Sequence, residues 1–388
     1  MKNARDAVIV AYGRSPMARA NKGSFAGLHP VEYSAQTLSG VLDRLPGLDR
    51  SQIDDVIMGC ANPEAECFFN IARLVAQRAG LSDEITGQTV NRFCSSGLQA
   101  IATAANAILA GQMDIVCAGG VERMTGMNMD PEHSRPFMDE KLVELKPDTY
   151  IAMGMTAENV AAQYGITREE MDQMAVESHT KAAAAQAAGK FKGEIVPITV
   201  EIDGKTVTVL EDEGIRPGTT LEGLSKLKPC FKPDGVVTAA TSSQMTDGAS
   251  FVVLMARETA EKLGYAPVAR FVGFAVGGVP AGVMGLGPIK AVPKVLARAG
   301  LSMEDMDVIE LNEAFAAQAL ACIRDLKMPM EKVNPNGGAM ALGHPMGATG
   351  GFLTCKAVSE LKRTGGKYAL ITMCIGGGQG AAGIFEME

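Results

Sequence analysis

The sequence predicts an α/β fold in which one unit occurs twice. Three observations predict it. Short apolar runs rich in β-branched residues alternate with helix-like segments. The order of these segments recurs in the second half of the chain. A long stretch rich in Met, Gly and Pro interrupts the first copy alone. Strand and helix alternating in this way argue for a mostly parallel sheet.

Ala7–Ala11 is a buried strand bounded by Gly13 and Pro16. Pro30–Leu45 is helical, with Val31, Leu38, Val41, Leu42 and Leu45 on its apolar face. Ile53–Met58 is the next strand and stops at Gly59. Asn70–Ala79 is a helix closed by Gly80. Thr89–Asn91 is a strand that runs into Cys94. Ser95–Ala110 is an Ala-rich helix apolar on most sides, and Ile115–Ala118 is a strand ending in Gly119-Gly120.

The second copy follows the same order. Ala269–Ala275 answers the first strand and Ala291–Ala299 the first helix. Asp307–Leu311, after Ser302-Met303-Glu304-Asp305, answers Asp54–Met58 after Ser51-Gln52. Ala314–Leu326 is the next helix. Val333-Asn334 answers Val90-Asn91, and Tyr368–Met373 leads to Cys374-Ile375-Gly376-Gly377-Gly378. A last strand, Ala381–Glu386, follows as a hairpin partner. Its counterpart in the first copy is Ala249–Met255, so the chain from Glu122 to Met245 is an insertion. That insertion has one clear helix, Arg168–Ala188, and reads as a lid carrying binding groups. The expected division is residues 1–121 with 246–268, an inserted loop domain over 122–245, and residues 269–388.

The 388 residues allow two or three domains at about 150 residues each. With 47% hydrophobic and 21% charged residues, a large core is expected and disorder is not. The net charge is −8 and no dense Lys/Arg run is present, which argues against nucleic acid as a partner. None of the eight Cys forms a Cys-x-x-Cys pair and the four His are scattered, so no metal site is expected. The first residues enter a strand without an apolar signal core. No apolar run reaches the roughly 18 residues of a membrane span. A reducing cytoplasm is the expected location.

Four places concentrate chemistry. Cys94 sits where a strand turns into a helix, and unpaired N–H groups at a helix start favour a thiolate there. A free Cys is more often packing than reactive, so this feature alone does not decide. Asn312-Glu313-Ala314-Phe315 occupies the next such junction, where Asn312 is also a good helix cap. Asn334 to Pro345 is Gly-rich and pins His344 between Gly343 and Pro345. Cys374 to Gly380 contains three successive Gly, which suit a hairpin turn or backbone N–H groups presented to an oxyanion. Strand C-termini collect functional groups in parallel α/β units. Two copies related by a pseudo-twofold can bring a Cys, a His and a second Cys to one site, and Cys–His is an activated-nucleophile pair.

With these motifs the chain resembles the thiolases, the acetyl-CoA C-acyltransferases, over nearly its full length. The motifs that carry the resemblance are Val90-Asn91 through Gly97, Asn312 to Phe315, Gly337 to Pro345 and Cys374 to Gly380. Asp212 to Pro217 and Glu222 to Pro229 resemble the degradative 3-ketoacyl-CoA branch, and Met153 to Asn159 is shared more widely. The resemblance implies a five-layered α-β-α-β-α fold of two βαβαβαββ units, with the loop domain inserted in the first.

It also implies thiolytic cleavage of a 3-ketoacyl-CoA by CoA, as in fatty-acid β-oxidation. His344 would take the proton of Cys94, and Cys94 would receive the acyl group. The N–H groups of Cys94 and Gly376 would hold one oxyanion, and His344 with an Asn312-bound water would hold the other. Cys374 would protonate the leaving carbon. Coenzyme A is a co-substrate and no permanently bound cofactor is implied. Ser243 would contact the pantetheine, Arg216 the adenine and phosphate end, and Met153 and Phe315 would line the thioester pocket. Ala240-Thr241 stands where relatives often carry Gly-Asn, and Ala152 where the biosynthetic branch often carries His. These departures bear on the acyl pocket. The expected assembly is a homodimer or homotetramer.

Rival readings share parts of this pattern. A biosynthetic thiolase forming acetoacetyl-CoA would use every catalytic residue named. A thiolase for a branched or aromatic 3-ketoacyl-CoA would add a helper subunit. A ketoacyl synthase would want a His, or a His/Asn pair, in the second position, and the Cys374 with Gly376 pattern argues against it. A non-catalytic acyl or lipid carrier would have lost one of the four motifs, and all four stand.

Overall fold

A computed structural model describes residues 2–128 and 134–388. The chain opens with β1 (Ala7–Arg14), β2 (Ala18–Arg19), α1 (Pro30–Leu42), β3 (Asp55–Gly59), α2 (Ile71–Arg78), β4 (Thr86–Val90), α3 (Ser96–Leu109) and β5 (Ile115–Glu122). The insertion carries α4 (Glu140–Leu145), α5 (Met153–Tyr164), α6 (Arg168–Ala187), a hairpin of β6 (Ile198–Ile202) and β7 (Lys205–Val209), and α7 (Leu221–Ser225). It is thus richer in structure than the one expected helix. Then come β8 (Thr246–Ala256), α8 (Arg257–Leu263), β9 (Ala269–Gly278), α9 (Gly287–Ala299), β10 (Val308–Leu311), α10 (Ala316–Asp325), α11 (Ala339–Leu342), α12 (Met346–Thr364), β11 (Tyr368–Ile375) and β12 (Gln379–Met387). Helix starts follow the local chemistry. Pro30 opens α1, and a capping box of Thr167 and Glu170 opens α6.

The strand order runs β10-β11-β12-β9-β1-β8-β5-β3-β4. Val333 adds a single parallel bridge to Ile309 beyond β10. Read from its outer edge, each half therefore places its third, second, fourth, fifth and first strands in that order. The two halves meet where β1 pairs with β9, Val8 to Arg270 and Ile9 to Ala269. The sheet is mixed, which corrects the mostly parallel expectation. β3 pairs in parallel with β4 and β5, and β10 with β11. The fifth strand of each half returns antiparallel to the fourth, and the junction strands are antiparallel too. β12 returns from β11 by a short hairpin and can pair no other way, whereas β8 reaches the same antiparallel place after the insertion.

Five layers result. α1 and α2 cover the outer face of the first half, α3 and α12 lie between the halves, and α9 and α10 cover the outer face of the second. β8 shows why its sequence is a continuous apolar run. Phe251, Val253 and Met255 pack with α1 and α2, while Val252 and Leu254 pack with Leu98, Ile101, Phe352 and Leu353 in the middle layer. The third core holds Val292, Val295, Leu311, Ile323 and Ile384. A methyl group on Gly350 would come within 2.1 Å of the Leu98 backbone nitrogen, so a side chain there would push α3 and α12 apart. This close approach relates Cys94 to His344 in space, because α3 begins just after Cys94 and α12 just after His344.

Buried charges bind the layers. Arg14 donates to Glu194 at 3.0 Å and to Asp212 at 2.9 Å, clamping the insertion to β1. Lys356 on α12 donates to Glu310 on β10 at 2.8 Å and to the Gly337 carbonyl at 2.6 Å.

Candidate active site

Cys94 is presented by a short, pinned turn. β4 ends at Val90, one 3-10 turn spans Phe93–Ser95, and α3 starts at Ser96. Asn91 Oδ1 accepts the Phe93 N–H at 2.8 Å. Ser96 Oγ accepts the Arg92 N–H at 2.9 Å and donates to the Phe93 carbonyl at 2.6 Å. These bonds hold Phe93 at φ 43°, a left-handed conformation that costs a non-glycine residue roughly 1 kcal/mol. The backbone N–H groups of Gly376 and of Cys94 itself favour the Cys94 thiolate electrostatically. Burial nevertheless dominates and pushes the thiol up to about 11. The expectation that the helix start makes this thiol acidic is corrected for the resting protein. Loss of water outweighs the two backbone N–H groups.

Gly376 belongs to the hairpin between β11 and β12. Ile375 faces Gln379 across it, and Gly377 and Gly378 take φ of 77° and 85°. Both values favour Gly, which explains two of the three glycines. Cys374 is fully buried, opposite Gly380, with the Cys94 thiol as an electrostatic neighbour. Burial raises its thiol well above the usual range. Arg92 links the two turns through a 3.4 Å contact to Gln379 Oε1. A Cβ built on Gly376 would lie 3.6 Å from Met153 Sδ and 3.8 Å from the Phe93 ring.

His344 leaves α11 through Gly343, at φ 96°, where a side chain would collide with Thr246. Its N–H donates to the Gln244 carbonyl at 3.1 Å. Nδ1 lies 2.6 Å from Thr349 Oγ1, and Nε2 lies 3.4 Å from Asn312 Nδ2. Burial pushes the imidazole down to about 4, so it is neutral at pH 7. Asn312 is buried, and its Oδ1 has no hydrogen-bond partner among the described residues. It does not cap a helix, which corrects that reading. α10 starts at Ala316 and its cap is Phe315. Glu313 supports the neighbouring loop instead, accepting from Ser178 at 2.7 Å, Asn334 at 2.9 Å and Met340 at 3.2 Å.

The residues expected at coenzyme A divide by place. Met153 starts α5 beside Gly376. Phe315 is buried and meets Phe231 edge-to-face at 5.9 Å. Ser243 is half-buried and its N–H donates to the Ala314 carbonyl at 2.9 Å. Arg216 is exposed, with its backbone N–H on His179 Nδ1 at 3.1 Å. Thr349, Glu313 and Glu122 escaped the sequence reading. Glu122 was the most visible of them, as the one carboxylate in an otherwise apolar buried strand, β5.

The family model described as "Thiolase, N-terminal domain" matches residues 7–258, and "Thiolase, C-terminal domain" matches residues 265–387. The chain belongs to the thiolase family. It is 49% identical to the 3-ketoacyl-CoA thiolase of Bacillus subtilis, covering 99% of this chain and 100% of that one. It is 44% identical to the peroxisomal 3-ketoacyl-CoA thiolase A of Mus musculus, covering 99% and 91%. The crystal structure of the Bacillus anthracis acetyl-CoA acetyltransferase superposes with a TM-score of 0.91 at 40% identity, covering 99% of each chain. The human mitochondrial 3-ketoacyl-CoA thiolase superposes at 0.90 and 37% identity, covering 99% and 100%. As a thiolase the chain is an acyltransferase with the five-layered α/β architecture. No helix among its described residues is long and apolar enough to cross a membrane.

Proposed function

We propose that this thiolase cleaves a 3-ketoacyl-CoA with free CoA, giving acetyl-CoA and a shortened acyl-CoA through an acyl-cysteine at Cys94. One observation carries the reading. The Gly376 turn lies against Phe93, the neighbour of Cys94, and the Cys94 and buried Cys374 thiols are electrostatic neighbours, so the strand ends of the two halves meet around one thiol.

The chemistry proceeds with both groups neutral at rest. His344 Nδ1–H donates to Thr349, leaving Nε2 as the base. Nε2 takes the Cys94 proton as sulfur attacks the 3-keto carbon. The N–H groups of Cys94 and Gly376 hold the tetrahedral oxyanion, each donor being worth roughly 3 kcal/mol of barrier. The carbon–carbon bond breaks and its electron pair leaves as the enolate of acetyl-CoA. His344 Nε2–H and a water on Asn312 stabilise the enolate oxygen. Asn312 Oδ1, buried without a hydrogen-bond partner among the described residues, is the kind of acceptor that orders such a water. Cys374 gives its proton to the enolate carbon. It then takes the proton of the incoming CoA thiol, whose sulfur attacks the acyl group; Cys94 leaves as the thiolate and recovers its proton from His344 Nε2–H.

Residues 122–245 form the CoA-binding loop domain between two halves, 1–121 with 246–268 and 269–388. Ser243 binds the pantetheine, Arg216 the phosphate end, and Met153 with Phe315 the thioester region. Cytoplasmic location and homodimeric or homotetrameric assembly belong to the same proposal. The reverse, acetoacetyl-forming direction uses the same residues and is favoured by the likeness to the Bacillus anthracis acetyl-CoA acetyltransferase.

The test is a panel of 3-ketoacyl-CoA substrates, from acetoacetyl upward, with and without free CoA. Turnover with CoA, and an acyl adduct on the Cys94 peptide without it, are expected. Absence of turnover across the panel, or an adduct on another residue, would overturn the reading.

A further inference from the structure

Away from the reaction centre, two thiols and a carboxylate converge beneath the loop after β3. Cys60 and Glu122 are fully buried and Cys67 nearly so. One ligand atom from each lies within 4.8 Å of the other two. Both cysteines are free. The Cys60 thiol donates to Glu122 Oε1 at 3.8 Å and also meets Cys67. Backbone N–H groups of Ala61, Asn62 and Gly347 fix the carboxylate at 2.9, 3.1 and 2.7 Å.

We propose that Cys60, Cys67 and Glu122 form a binding site for a thiophilic divalent cation of the zinc and cadmium type. Bonds of about 2.3 Å to sulfur and 2.0–2.2 Å to oxygen separate the ligand atoms of a tetrahedral ion by roughly 3.5–3.8 Å. The Cys60 sulfur and Glu122 oxygen already have that spacing. On binding, both thiols release a proton to solvent, two metal–sulfur bonds and one metal–oxygen bond form, and a water completes the tetrahedron. No electron is transferred. Two thiolates select against magnesium and calcium, which prefer oxygen ligands. The three backbone N–H donors orient Glu122 as outer-shell bonds orient metal ligands elsewhere.

A cavity of about 390 Å³, lined by Asn62, Glu64, Glu66, Arg123 and Thr125 among others, borders the same loop. The sequence hides the site. The thiols lie seven residues apart, and the carboxylate comes from β5, brought alongside by the pairing of Gly59 with Gly120.

Reduced, metal-free protein titrated with Co²⁺ tests this directly. One ion per chain is expected, with sulfur-to-cobalt charge transfer in the near ultraviolet and tetrahedral bands in the visible. Both signals should vanish in Cys67→Ser and Cys67→Ala and persist in Cys94→Ser. No signal in the unaltered chain, persistence in both Cys67 variants, or loss in Cys94→Ser overturns the proposal. If the Cys67 variants fail to fold, alkylation of the unaltered chain in mild urea decides. Zn²⁺ should slow labelling of Cys60 and Cys67 at least tenfold and leave Cys94 unchanged. Equal labelling with and without Zn²⁺ overturns the proposal.

Discussion

His344 Nδ1 lies 2.6 Å from Thr349 Oγ1, and the Thr349 hydroxyl donates its one hydrogen to the Pro345 carbonyl at 2.9 Å. Oγ1 must therefore accept from Nδ1–H, which fixes the ring tautomer. Nε2 is left as a lone pair facing Asn312. Replacing Thr349 by Val keeps the shape and removes the acceptor. The kcat should fall about tenfold, or roughly 1.4 kcal/mol, with little change in KM. Thr349→Ser should recover most of the rate. A Val variant at full rate would mean that another group holds the tautomer.

The Cys94 thiol stands at about 11 and the His344 imidazole at about 4, both through burial. The resting pair is neutral, with no thiolate–imidazolium ion pair. Alkylation of Cys94 by iodoacetamide should accelerate about tenfold per pH unit from pH 7 to 9, because the thiolate fraction does. His344 adds no inflection there. A rate plateau reached by pH 7 would establish an ion pair and refute this.

The alternation of strand and helix, the repeat and the insertion were legible because each rests on runs of residues. β8 shows its double burial in six consecutive apolar residues, Phe251 to Ala256. The four motifs were legible because Gly, Cys and His cluster in them. Single polar partners were not. Glu122 meets the Gly347 N–H across 225 residues of chain, and Thr349 looks like any helix residue. β4 begins at Thr86 rather than Thr89, since its half-exposed residues carry little apolar signal. The acidity expected of Cys94 failed for a different reason. Sequence shows the helix start but not the depth of burial that opposes it.

Lys356 and Glu310 form a buried pair at 2.8 Å. Burial raises the Glu310 carboxyl to about 7, against the pull of Lys356. Lys356→Met leaves the carboxyl unpaired and should cost about 3–5 kcal/mol at pH 8 in urea unfolding. An acid whose folded pKa exceeds its unfolded value binds more protons when folded. Stability of the variant therefore falls as pH rises from roughly 4.5 through 7, and further, since removing Lys356 raises the folded value again. The deficit should be smaller at pH 5.5 than at pH 8. A deficit independent of pH would remove Glu310 from the account.

Gly350 of α12 lies tightly against the start of α3. A methyl group there would meet the Leu98 nitrogen at 2.1 Å and Leu98 Cβ at 2.6 Å. The clash is with backbone, so trimming Leu98 to Ala cannot relieve it and the helices must separate. Overpacking of this kind costs about 1–3 kcal/mol. Separation also moves the start of α3, just after Cys94, away from the start of α12, just after His344. Gly350→Ala should therefore lower kcat more than it raises KM, in addition to lowering the urea midpoint. Gly193→Ala is the control, because nothing lies within 4 Å of its added methyl group. Equal kinetics for the two variants would show that helix spacing does not govern the alignment of Cys94 with His344.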